Sequence, residues 1–289
     1  MSSLISDKYT EWEKICENRF QRLKNNEEEL NRFFISLYGM EEELSPEVEE
    51  SKITIRRADL SRDIKSLISY AIGCIFGRYS LDCDGLCYAG GKWDESLYRT
   101  IIPCRDNVMP INDIDNGLTR AVIDFIETVY GSETLEENLS FIASAIGGTG
   151  EPRDILHGYL QKSFYIDHAK MYKNRPVYWQ IFSGKKGAFR GLMYMHRFTP
   201  ELPLIIKENY AFPRYEQLKK EAAMLNDMLT ASTGTAKRRI RREINRVQSL
   251  ISEMEDFLQR LEKTAAQNIQ LDLDDGVKIN YSKLKDILQ

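Results

Sequence analysis

The densest chemistry in this 289-residue sequence is a basic run: Lys237, Arg238, Arg239, Arg241, Arg242 and Arg246, interrupted in charge by Glu243 alone. Cations this closely spaced suit a phosphate backbone, the acidic residues of a partner, or simply a solvated helix face. If about five phosphates were neutralised, log affinity would fall against log salt with a slope of about −4.5. A second group, Lys185, Lys186, Arg190 and Arg197, is interleaved with Tyr178, Trp179, Phe182, Phe189, Tyr194 and Phe198. Mixed cations and rings suit phosphate contact and base stacking. The same residues equally fit a hairpin whose rings pack inward and whose lysines are solvated at its turn.

Other reactive types are not arranged for catalysis. The cysteines (Cys16, Cys74, Cys83, Cys87 and Cys104) are odd in number and contain no Cys-x-x-Cys pair, so free thiols in a reducing cytoplasm are expected. Cys83, Cys87 and Cys104 would give three zinc thiolates, but the nearest downstream histidine is His157, and buried or idle thiols fit better. No metal is expected. His157 and His168 have a spacing that can share a helix face, and with His196 they lie outside any recognisable nucleophile or carboxylate motif. Neither H-E-x-x-H nor G-x-S-x-G occurs, the glycines around Ser183–Gly187 lack phosphate-loop spacing, and Gly147–Gly150 follows a helical run. Asp63-Ile-Lys65 is too short a pattern to indicate a nuclease. The chain alone is not expected to be an enzyme.

The elements that must carry the basic groups follow from periodicity. Residues 8–38 read as an amphipathic helix with Trp12, Ile15, Phe20, Leu23, Leu30, Phe33, Phe34 and Leu37 on its apolar face and Gly39 just past its end. A short strand is expected at 53–55, and then an apolar helix starting at Asp59 or Ser61, whose Gly73 and Gly77 mark close packing. Residues 80–117 read as ordered loop with a strand near 98–102. Helices are expected at 117–130, at 133–146 with a Thr134/Glu137 capping box, and at 151–173. Two β-prone runs at 175–198, joined at Lys185-Lys186 between Gly184 and Gly187, predict a hairpin.

Further on, Ala211, Tyr215, Leu218, Ala222, Leu225 and Leu229 recur at heptad spacing. So do Ile240, Ile244, Val247, Ile251, Met254, Leu258, Leu261 and Ala265. This predicts an antiparallel coiled-coil hairpin over 211–229 and 236–266, its second arm about 46 Å long at about 1.5 Å per residue. A turn and a short helix complete the tail. The fold class is therefore mainly α (α+β). A helical core region with its β-hairpin is expected over 1–200, and the coiled-coil hairpin plus tail over 201–289.

Composition agrees: 42% hydrophobic and 29% charged residues are ordinary for a globular protein. The net charge of −4 means that any nucleic-acid contact must rest on local patches. The opening MSSLISDKYTEWEK has no basic stretch followed by an apolar run, and the apolar stretch 67–76 is short, so neither signal peptide nor membrane span is expected.

The segments ISYAIGCIFGRYSL (68–81), with Gly77, Arg78 and Tyr79, and RPVYWQIFSGK (175–185), with Arg175, Pro176, Tyr178 and Trp179, resemble the C-terminal region of BREX phage-defence adenine-specific DNA methyltransferases, the PglX family. More distantly they resemble restriction-modification methylases with fused target recognition. YTEWE (9–13), EEELN (27–31), RRADL (56–60), SFYIDH (163–168) and LDDGVKINY (273–281) extend the match along the chain. The resemblance implies that methyl transfer is done by an upstream Rossmann-like domain with an S-adenosylmethionine loop and an Asn-Pro-Pro-Tyr motif. Neither motif occurs here; Asn174-Arg175-Pro176-Val177-Tyr178 only echoes the second. A chain of this kind is expected to be the non-catalytic, DNA-binding and target-recognition part, without its own cofactor. Its expected partners are double-stranded DNA, the catalytic domain and other BREX subunits, in the cytoplasm. The alternative is an interaction scaffold that docks defence-system subunits through the coiled coil.

Overall fold

The computed structural model describes residues 4–289. In chain order the elements are α1 (Ile5–Tyr38), α2 (Leu60–Ile75), β1 (Met109–Pro110), α3 (Leu118–Tyr130), α4 (Leu135–Ala145), α5 (Pro152–Lys162), α6 (Phe164–Met171), β2 (Tyr178–Phe182), β3 (Arg190–Tyr194), α7 (Leu202–Ile206), α8 (Phe212–Thr230), α9 (Gly234–Ala266) and α10 (Gly276–Lys283). The architecture is mainly helical with one small antiparallel sheet, as expected. The chain divides into two compact units: residues up to Ile68 with Ile126–Pro152, and Ser69–Phe125 with Arg153–Gln289.

In the first unit α1 ends as its sequence dictates. Gly39 takes a left-handed conformation (φ 64°), and the N–H groups of Gly39 and Met40 close on the carbonyls of Ser36 and Ile35. The start of α1 is tied to α4 by the Ile5 N–H donated to Asn138 Oδ1 at 2.7 Å. Arg57 lies over the Phe20 ring and pairs with Glu17 and Glu50, both at 2.7 Å. Asp59 caps α2 by accepting the Arg62 N–H at 2.7 Å, while the Asp63 carboxylate reaches back to the Asp59 N–H at 3.0 Å. The strand expected at 53–55 is absent: a 3-10 turn at Glu50–Lys52 precedes it, and no neighbouring strand among the described residues offers a ladder. Of the apolar face assigned to α1, Phe20 is buried, but Leu30, Phe33 and Leu37 are exposed. The Thr134/Glu137 capping box does not form, because the Thr134 hydroxyl donates to the Tyr130 carbonyl.

The second unit is built on the sheet, in the order β1-β3-β2. Tyr178 pairs with Tyr194 and Phe182 with Arg190 across the hairpin, and Met109 pairs with Leu192 on the far side. The strand therefore lies at 109–110 and not near 98–102. There the Asp82 carboxylate takes the N–H groups of Arg99 and Thr100, both at 2.8 Å, which a ladder would have needed. The chain end adds a rung to β2: Phe182 N–H donates to the Ile287 carbonyl and Gln289 N–H to the Gln180 carbonyl.

Ala71 and Ile72 of α2 and Phe76 just past its end are wholly buried, as are Trp179 and Tyr194 of the sheet. Gly73 permits this packing, since a Cβ there would lie 3.0 Å from the Tyr178 hydroxyl and closer still to the Tyr79 ring. The single helix expected over 151–173 is kinked at Ser163 into α5 and α6, which places His157 and His168 on different helices.

Helices α8 and α9 form an antiparallel hairpin, since Tyr215 bonds Glu255 while Glu221, nearer the tip, pairs with Arg246. A π turn at Lys207–Ala211 joins α7 to α8 without a break. Along α9 one row of the expected heptad, Ile240, Val247, Met254 and Leu261, is buried throughout. The other row holds at Ile244 and then shifts by one residue, to Leu250, Phe257 and Thr264 in place of Ile251, Leu258 and Ala265. The second row shifts because this half of α9 packs on α7, the π turn and the β-hairpin turn as well as on α8, with Phe257 stacked on Phe189 at 5.9 Å.

The chain turns back through Gly85 (φ 81°) and brings the Cys83 and Cys87 side chains against each other. Cys16, Cys74 and Cys104 are free.

Candidate nucleic-acid interface

The turn of the β-hairpin is held from a distance by α9. Glu253 accepts the Ser183 hydroxyl at 2.7 Å, the Ala188 N–H at 2.9 Å and the Lys186 N–H at 2.6 Å. Asn112 adds a bond from its amide to the Gly187 carbonyl at 3.1 Å and accepts the Arg190 N–H. Gly184 and Gly187 both take positive φ, 150° and 67°, which lets the chain reverse this tightly. With its backbone so fixed, the turn leaves Lys185 and Lys186 exposed.

The two arginines of this group are placed differently. Arg190 is half-buried over the Phe182 ring, with one Nη donated to the Gln161 carbonyl at 3.2 Å and Nε buried without a partner among the described residues. Arg197 lies 4.4 Å above the Trp93 ring and donates to the carbonyls of Phe76, Cys104 and Arg105. Its guanidinium ties down loop backbone. The rings of the hairpin are mostly interior: Tyr178, Trp179, Phe189 and Tyr194 are all buried.

The long basic run sits at the other end of α9, next to the helix–helix turn. Lys237, Arg238, Arg239, Arg241 and Arg242 are exposed, and among the described residues none of them has a salt-bridge partner. Arg246 differs, pairing with Glu243 at 2.6 Å and Glu221 at 3.6 Å. Cations in the first turns of a helix oppose its dipole, so this arrangement costs a few tenths of a kcal/mol or more in isolation. From Arg239 to Glu253 beneath the hairpin turn is about 20 Å along α9, at about 1.5 Å per residue. Both cation groups thus lie on one unit, along one helix.

The family-motif residues form the frame of the second unit. Gly77 (φ 76°) has Trp93 where a Cβ would be, and its carbonyl accepts the Tyr98 hydroxyl at 2.6 Å. Trp179 donates its indole N–H to the Pro176 carbonyl at 2.8 Å. Arg78 and Tyr79 are half-buried, and Arg175 is exposed. A cleft of about 720 Å³ opens beside the hairpin between the 110–116 loop and the start of α8, with Asn112, Phe189, Tyr210 and Arg214 among its lining residues.

Remaining reactive groups are held inert. Burial pushes the Cys74 and Cys104 thiols up to about 11, so neither is a ready nucleophile. His157 sits between Thr119 Oγ1 at 2.8 Å and Gln161 Nε2 at 2.9 Å, and burial lowers its pKa. No group of three or more metal-ligating side chains, and no helix long and apolar enough to cross a membrane, occurs among the described residues.

No family model matches the sequence. The adenine-specific methyltransferase PglX of Lacticaseibacillus casei (strain Zhang) is 42% identical over 283 residues, 95% of this chain but 24% of the relative. The adenine-specific methyltransferase BrxX of Escherichia coli O9:H4 (strain HS) is 34% identical over 301 residues, 93% of this chain and 25% of the relative. This sequence is homologous to one segment of the PglX and BrxX adenine-specific methyltransferases. The chain spans about a quarter of the length of these relatives. Glu253, Asn112 and Trp93 are the positioning residues that sequence reasoning missed, since each is remote in the chain from what it holds.

Proposed function

We propose that this chain is the C-terminal, DNA-gripping and target-recognising part of an adenine-specific DNA methyltransferase of the BREX defence type. Methyl transfer and S-adenosylmethionine binding then reside in a catalytic domain outside this sequence. The homology to PglX and BrxX supports the methyltransferase context. The observation that carries the DNA-binding role is the set of five exposed cations at the tip of the α8–α9 hairpin, none of them in a salt bridge among the described residues. Leaving five cations together without counter-charge is unfavourable in the free protein, and a polyanion relieves it.

Lys185 and Lys186 form the second contact. Their separation of about 20 Å from the tip, along α9, corresponds to about six base steps at about 3.4 Å each. In this reading Lys237, Arg238, Arg239, Arg241 and Arg242 hold phosphates, Lys185 and Lys186 hold others, and Arg190, Arg197 and Arg246 act mainly through the frame they tie together. The protein works in the cytoplasm beside its catalytic domain and other BREX subunits. Electrophoretic titration of a DNA duplex at increasing salt tests this. Binding that weakens steeply with salt is expected, and salt-independent or absent binding contradicts it.

The exposed Met224 and Met228 near the same tip favour one other reading, a scaffold that docks protein subunits through the helical hairpin. Concentration-dependent mass measurements with and without residues 210–267 separate the two. A partner-bound mass that disappears with the hairpin supports the scaffold.

A further inference from the structure

Arg78 sits half-buried at the foot of α2 with no carboxylate paired to it among the described residues. Its guanidinium carbon lies 5.4 Å from the Tyr79 ring, 5.7 Å from Tyr172 and 5.9 Å from Tyr194. Nε donates to the Tyr79 hydroxyl at 3.2 Å and one Nη to the Tyr194 hydroxyl at 3.3 Å. A guanidinium has five N–H donors in a planar fork, so most of the fork remains open.

Beneath it lies a continuous stack of polar rings. His168 contacts Tyr172 at 4.6 Å and Tyr178 at 4.7 Å, Tyr178 contacts Tyr194 at 5.6 Å, and Tyr194 contacts His196 at 4.9 Å. Three buried polar atoms in this stack have no hydrogen-bond partner among the described residues: His168 Nδ1, the Tyr178 hydroxyl and His196 Nδ1. His168 and Tyr178 are each 1% exposed. His168 Nε2 accepts the N–H groups of Val177 and Tyr178, both at 3.2 Å, which places its proton on the orphaned Nδ1. A buried polar group without a partner costs about 1–3 kcal/mol. Their clustering around one uncompensated cation is what a site for an oxyanion looks like.

We propose that Arg78, with Tyr79, Tyr172 and Tyr194 around it, binds a phosphate group through the open edge of its guanidinium. The phosphate is either a phosphodiester of a bound nucleic-acid strand or that of a free nucleotide. The site is separate from the basic tip and does not depend on the role proposed for it. A purely structural arginine, riveting three rings together, is the competing account.

The test is NMR titration of the full chain, following the Arg78 Nε–H resonance and the ring signals of His168 and His196. Inorganic phosphate, adenosine monophosphate and a short DNA duplex are added in turn, with chloride at matched ionic strength as control. Arg78→Gln and Arg78→Lys are titrated in parallel. Saturable shifts with phosphate and not with chloride are expected. Affinity should fall at least tenfold in Arg78→Gln and partially in Arg78→Lys, which keeps the charge but loses the fork. A larger loss of affinity in Arg78→Gln for the duplex than for the mononucleotide assigns the site to a strand, and the reverse assigns it to a nucleotide. Shifts on the wild type that are linear and identical for phosphate and chloride overturn the proposal, whether or not the variants fold.

Discussion

His168 shows most directly what burial does to a single residue here. Burial, reinforced by the nearby charge of Arg78, lowers its pKa to about 3 in the folded protein. The ordinary value is about 6.5, so between those limits the unfolded chain binds a proton that the folded one refuses. Stability contributed by neutral His168 is complete above about pH 6.5 and falls with acidification by about 1.4 kcal/mol per pH unit. His196, lowered to about 4 for the same two reasons, acts in the same direction. Thermal melts from pH 7.5 to 5 should show a falling midpoint, and His168→Gln should flatten that fall. Gly77→Ala is a second residue-scale test. A side chain at φ 76° that also meets Trp93 should cost about 2–4 kcal/mol in denaturant unfolding. None of the stack around Arg78 is legible in the sequence, because Tyr194 lies 116 positions from Arg78. Arg78, Tyr79 and Tyr178 stand out there, and as resemblance rather than chemistry.

At the scale of elements, what can be read is what is local. Gly-flanked lysines between two β-prone runs predict the hairpin without any tertiary information. The repeated apolar residues of the last third predict two long helices, found at Phe212–Thr230 and Gly234–Ala266. The one-residue shift in the second row of α9 is not readable, since it depends on which other elements the helix meets. Phe257→Ala should therefore cost about 3–5 kcal/mol, and Leu258→Ala clearly less, although heptad spacing selects Leu258. Equilibrium denaturation of both variants decides it. Glu253, 70 positions from Ser183, fastens the turn that presents Lys185 and Lys186. Glu253→Gln should loosen that turn, destabilise the protein by about 1–3 kcal/mol, and weaken DNA binding although it removes a negative charge. A rise in affinity would mean that the charge, not the turn geometry, is what matters there.

For the whole molecule, the net charge of −4 and the cation-rich hairpin are compatible because the basic residues are segregated. That segregation is visible in the sequence; that the tip cations stand exposed and outside any ion pair among the described residues is not. On the proposed reading this chain holds DNA, and methyl transfer belongs to sequence outside it. The direct test is the salt dependence of duplex binding by the wild type and by a variant carrying Lys237→Gln, Arg238→Gln, Arg239→Gln, Arg241→Gln and Arg242→Gln. The slope of log affinity against log salt should become shallower by about 4.5 in the variant, about 0.9 for each phosphate that is no longer neutralised. An unchanged slope, with both proteins folded, would contradict that reading.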